Sequence, residues 1–187
     1  MLKHLLLGVA LLLPSTVQAA TVTPISVSST LEEANAVSWT IEGFFLRYKI
    51  RKLASDLKIK MTDDEVDELA HSISIASELS EIDSELLLAI AAVESQLCHK
   101  KWLKGDGGAS MGCMQIYTPV WGKILTKANV SKKDLFDTRT NIVIGSLILR
   151  EKINKYGYEN GILRYNGNGE AAKQYLIKVQ KLYKRID

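Results

Sequence analysis

The chain has 187 residues, 47% of them apolar and 24% charged, with 3 prolines and a formal net charge of +3. These values exclude a disordered or collagen-like chain and fit one domain plus a leader; no repeat of solenoid length is present. The charge is uneven, with 17 Lys and Arg against 7 Asp and Glu from residue 100 onward, which fits either a polyanionic partner or a solvated lysine-rich surface.

The first elements read as an export leader. Lys3 and His4 form a basic start, and Leu5 to Leu13 is an apolar run too short to cross a bilayer. Pro14 and Ser15 break it, and Val17-Gln18-Ala19 supplies small residues for cleavage, so the mature chain is expected to begin near Ala20. The alternative is an uncleaved anchor. No later segment is long and apolar enough for a second span, so a soluble protein outside the cytoplasm is expected. We divide the chain into a leader (1–19), an N-terminal helical segment (20–80) and a main domain (81–187).

The spacing predicts a helix from Leu31 to Lys58, with Val37, Ile41, Phe44, Phe45, Tyr48 and Leu53 as its apolar stripe. A second helix starts at Thr62, where Glu65 completes a capping box. Asp83 is the N-cap of a third, running to Leu97, and a polar loop follows from Cys98 to Ala109. Further helices are predicted over Pro119–Ala128, Thr140–Tyr156 and Ala171–Ile186, with Arg164 to Gly169 as a turn between the last two. Strand signals are weak throughout, so the fold class is mainly α.

On the third helix Leu87, Ile90, Ala91, Glu94 and Cys98 share one face, so Glu94 is aligned with the apolar stripe. No Lys or Arg stands three or four residues away to pair with it. Desolvation raises the pKa of such a carboxyl, and a proton held near neutral pH is what a general acid needs. The competing reading is a glutamate paired with a base from elsewhere in the fold. Two more clusters stand out: Gly112-Cys113-Met114-Gln115 and Arg164-Tyr165-Asn166-Gly167. The first lacks the Gly-Lys-Ser/Thr of a phosphate loop.

Glu94-Ser95, the Gly112 to Gln115 loop, Leu135-Phe136-Asp137 leading to Asn141-Ile142 and Gly145, and Arg164-Tyr165-Asn166-Gly167 occur in an order that resembles the soluble lytic transglycosylase family. The resemblance covers roughly residues 81 to 180 and implies a goose-type lysozyme-like domain, here preceded by short N-terminal helices. It implies Glu94 as the single catalytic acid/base. Ser95, Met114, Gln115 and Asn166 match positions that hold the saccharide, Tyr165 a tyrosine close to the acid, and Asn141 a structural position. Arg164 and Gly167 depart from the small alanines of the last motif, and Cys113 from an apolar residue.

Cys98 and Cys113 are the only cysteines, and an even number in an exported chain favours a disulfide between them. A cysteine nucleophile is the rival reading. No metal-ligand spacing is present, so no metal and no cofactor are expected. The expected activity is cleavage of the bond between N-acetylmuramic acid and N-acetylglucosamine, leaving 1,6-anhydro ends. Peptidoglycan strands are the expected partner, with a secretion, conjugation or pilus machine as a further candidate; nucleic acid is not expected, and a monomer is. The alternatives are a hydrolysing lysozyme with Asp106 as second carboxylate, or a wall-binding assembly protein that does not cut.

Overall fold

A computed structural model describes residues 41–102 and 104–186. The predicted leader, the proposed start at Ala20 and the first part of the predicted Leu31–Lys58 helix lie outside these residues. Seven α-helices and one small sheet make up the described part: α1 (Ile41–Asp56), α2 (Asp63–Ser80), α3 (Ser84–Ser95), β1 (Lys104–Gly105), β2 (Ser110–Met111), β3 (Ile116–Tyr117), α4 (Thr118–Lys127), α5 (Thr138–Tyr156), α6 (Tyr158–Asn166) and α7 (Gly169–Ile186). The mainly α class expected from the sequence is the class observed.

The caps explain where the helices begin. Thr62 and Glu65 form the full capping box at α2, and the Asp83 carboxylate accepts the amides of Glu85 and Leu86 at α3. Helix α3 is the central element: Leu86 through Ala92 are all buried, the pattern of a helix enclosed on every side. It lies against α7, α2 and α1, while α5 packs most extensively on α2 and α6. Helices α1 to α3 and α5 to α7 share one hydrophobic core, and a second cluster of Met111, Ile116, Leu125, Val130, Leu135 and Ile148 lies under the sheet.

Three predicted features need correction. The buried stripe of α1 is Leu46, Ile50, Leu53 and Ala54, whereas Phe44, Phe45 and Tyr48 are exposed. Both sets have helical spacing, and the aliphatic set won the core. Helix α3 stops at Ser95, not Leu97, because Gln96, Leu97 and Cys98 all take left-handed backbone (φ 56°, 59° and 62°). Arg164 to Asn166 are not a turn but the last residues of α6. That helix was missed because Asn160 and Gly161 interrupt its short pattern; a Cβ on Gly161 would sit 2.5 Å from Ile153 Cα, so the glycine permits α6 to close on α5.

The loop predicted over Cys98–Ala109 contains β1, and β1, β2 and β3 form an antiparallel sheet in that order. Lys104 pairs with Met111, Gly105 with Ser110, and Ser110 also with Tyr117.

Candidate functional site

Glu94 occupies the last turn of α3, half-buried at the end of the helix's buried run. Burial raises its carboxyl pKa, the hydroxyl of Tyr175 opposes that shift, and the charge of Asp106 adds to it; the outcome is a pKa of about 7. The negative end of the α3 dipole also disfavours ionisation there. Two tyrosines adjoin the carboxyl, Tyr165 from α6 and Tyr175 from α7, and burial holds both phenols well above their ordinary pKa, with the Glu94 charge adding to the shift.

The sequence reading placed Tyr165 near Glu94, and it is near, but its hydroxyl donates to the Met114 carbonyl at 2.9 Å. The polar neighbour of the acid is instead Tyr175, which the sequence reading did not single out. Its hydroxyl is buried and close enough to Glu94 to favour the ionised carboxylate, and it has no other polar partner among the described residues. The one available signal was its position on the buried stripe of α7, with Ala172 and Val179, where a phenol needs a partner.

Ser95 is buried behind the acid. Its hydroxyl donates to the Cys113 carbonyl at 2.6 Å and accepts from Cys98 N at 3.1 Å, so it joins the end of α3 to the Gly112–Gln115 loop. Cys98 and Cys113 are disulfide-bonded with Cα atoms 4.6 Å apart, a second tie between the same segments. Asn141, fully buried on α5, completes the support. Its Oδ1 accepts from Met114 N at 2.7 Å, and its Nδ2 donates to the carbonyls of Leu135 and Met111 at 2.7 and 3.0 Å. Gly112 (φ 80°) lies so close that a Cβ would come within 2.0 Å of Asn141 Nδ2 and of the Leu135 carbonyl.

Met114 is fully enclosed, and a Cβ on Gly145 would reach its Sδ at 2.6 Å, so this side chain packs tightly against α5 and presents no surface to a ligand. Gln115, which the sequence reading gave to the saccharide, spends its amide within the hairpin: Oε1 accepts from Gly105 N at 3.2 Å and Nε2 donates to the Gly112 carbonyl at 2.8 Å. Asn166 is exposed at the end of α6. Arg164 lies over the Tyr156 ring at 4.6 Å and donates to Asn168. Asp106, exposed and with φ 51°, accepts from the Ser110 hydroxyl at 2.5 Å, and its charge is felt at Glu94.

A carboxyl poised to exchange a proton near neutral pH, beside two tyrosines, at a helix end tied to the following loop by Ser95 and the disulfide, is an arrangement suited to acid/base chemistry. A family model described as "Transglycosylase SLT domain" matches residues 71–186. "Invasion protein IagB" of Salmonella typhimurium, in strains SL1344 and LT2, is 31% identical over 121 residues, which cover 59% of this chain and 74% of that protein. The protein of the same name from Salmonella typhi matches with the same identity and coverage. The chain therefore belongs to the SLT transglycosylase family, with a function of the lytic-transglycosylase kind directed at peptidoglycan.

Proposed function

We propose that the protein is a lytic transglycosylase that cleaves the β-1,4 bond between N-acetylmuramic acid and N-acetylglucosamine, with Glu94 as its only acid/base. The observation that carries this reading is the Glu94 carboxyl, raised to about 7 by burial at the end of α3. Protonated, it gives its proton to the glycosidic oxygen as the bond to the muramic C1 breaks. The resulting carboxylate then takes the proton of the muramic C6 hydroxyl, and O6 bonds to C1. The proton taken up replaces the one given, no water is consumed, and the product is a 1,6-anhydro sugar. Ser95, Met114 and Gln115 act as positioning residues that fix the loop under the substrate, and Asn166 is the exposed amide available to a sugar.

A second reading is favoured by one observation: the charge of Asp106 reaches Glu94. Glycosidases that hydrolyse use two carboxyl groups, and Asp106 would then activate water. The experiment is mass analysis of muropeptides released from purified peptidoglycan. Anhydro products that disappear in Glu94→Gln establish the lyase. A product heavier by one water, lost in Asp106→Asn, establishes the lysozyme. Binding to the wall with no release would leave only a wall-binding assembly protein.

Two further parts of the reading rest on other support. Export to the periplasm or beyond rests on the leader-like residues 1–19. Local wall opening for a secretion, conjugation or pilus system rests on the family resemblance and on the word "invasion" in the name of the Salmonella relatives. The limits 20–80 and 81–187 belong to the same reading as a division of roles, with the family motifs after residue 81, and not as two separately packed units.

A further inference from the structure

We propose that the free face of Trp102 is a docking platform for a sugar ring of the peptidoglycan strand, away from the cleavage point. Trp102 is 68% exposed, and its indole stacks on Phe136 with ring centroids 5.3 Å apart and planes 27° from parallel. One face of the indole is therefore covered and the other is offered to solvent. The chain that carries the indole is anchored at the residue before it. The ammonium of the preceding residue, Lys101, donates to Thr138 Oγ1 at 2.9 Å and pairs with Glu68 at 3.4 Å, while Lys101 N donates to the carbonyl of disulfide-bonded Cys98. A ring fixed before binding loses little entropy on binding.

The chemistry fits a β-linked pyranose. Such a ring presents axial C–H groups on its faces, and the electron-rich face of an indole attracts them. Exposed Lys100 stands two residues before Trp102, and exposed Lys132 and Lys133 stand four and three before Phe136, whose amide the Lys133 carbonyl accepts; exposed Asp134 and Asp137 flank the same ring, so the rim of the platform carries both signs of charge. Reach is adequate: Trp102 precedes Asp106, whose charge is felt at Glu94, by four residues, at most about 14 Å of chain. A strand seated at Glu94 needs only a few more rings to arrive at Trp102.

This inference rests on the proposed function. The test uses the full chain carrying Glu94→Gln, so that the polymer is bound and not consumed. Co-sedimentation with purified sacculi is expected to weaken about fivefold or more when Trp102→Ala is added, and to be largely kept by Trp102→Phe. Oxidative footprinting, which needs no change at Trp102, is expected to find that indole protected by sacculi. Equal sedimentation with and without Trp102→Ala, or equal oxidation of Trp102 with and without sacculi, overturns the platform. If wild-type protein releases muropeptides while Trp102 stays unprotected, the platform alone fails; if it releases none, the proposed function fails.

Discussion

Glu94 has to give a proton and then take one, so its pKa must lie near the working pH. Burial raises it from 4.5, Tyr175 pulls it back and Asp106 adds to the rise, leaving about 7. The sign of the stability effect follows. The folded state binds this proton more tightly than the unfolded chain does. Stability from this group is therefore complete below pH 4.5, falls as pH rises, and levels off above pH 7, with a span of about 3 kcal/mol. Glu94→Gln removes the titration. Its stability relative to wild type is expected to increase between pH 4.5 and pH 7 by up to that amount, read by urea unfolding across pH. A gap independent of pH would mean that Glu94 titrates as an ordinary carboxyl. The rate of wall cleavage should fall on the alkaline side through pH 7. In Tyr175→Phe that limb should move to higher pH, because the group opposing the rise is gone; an unmoved limb would remove Tyr175 from the acid's surroundings.

At the scale of elements, the site depends on how the end of α3 is fixed to the loop that follows β2. Three consecutive non-glycine residues, Gln96, Leu97 and Cys98, lie in left-handed backbone, each at a cost of about 1–2 kcal/mol. Ser95, the disulfide and Asn141 hold that conformation and the loop opposite it. The bond closes 15 residues of chain, for which the chain-entropy model gives about 3 kcal/mol. The paired replacement Cys98→Ala with Cys113→Ala is expected to lower the melting temperature by several degrees. It should also reduce cleavage more than it reduces binding to sacculi, since the end of α3 carries Glu94. Unchanged melting and cleavage would make the bond peripheral. How much of this was readable in the sequence follows from range. The Thr62–Glu65 box and the face of Glu94 are local patterns and were legible. The Asn141 hydrogen bonds span up to 30 residues, and Gln115 reaches back 10 to Gly105; no periodicity carries such contacts. Strands of two residues are too short to alternate, and Tyr175 looked like any aromatic on a buried stripe.

For the molecule as a whole, the core does not divide at residue 81. Ile50 and Leu53 of α1 and Val66, Leu69, Ile73 and Ile75 of α2 are buried in the same cluster as Leu87 and Ile90 of α3. Ion pairs tie α1 to its neighbours: Arg47 to Asp67, Lys49 to Glu85, and Asp56 to Arg185 of α7. The Asp56–Arg185 pair is exposed and contributes little; the part-buried Arg47–Asp67 and Lys49–Glu85 pairs add to an attachment that is chiefly hydrophobic. The Arg150 guanidinium of α5 binds the carbonyls of Ser80 and Glu81 and so closes the end of α2. Removing α2 exposes the surfaces that its four large side chains cover. At about 1.5–3 kcal/mol each, that loss is about 6–12 kcal/mol, as large as the whole stability of a typical domain. A fragment of residues 81–187 is therefore expected to show no cooperative thermal transition and no wall cleavage, although it contains Glu94, the disulfide and the Tyr165 segment. Calorimetry and muropeptide release check it. A fragment that melts cooperatively and cuts would show α1 and α2 to be an appendage, with the Glu94 site held by α3 and the later elements alone.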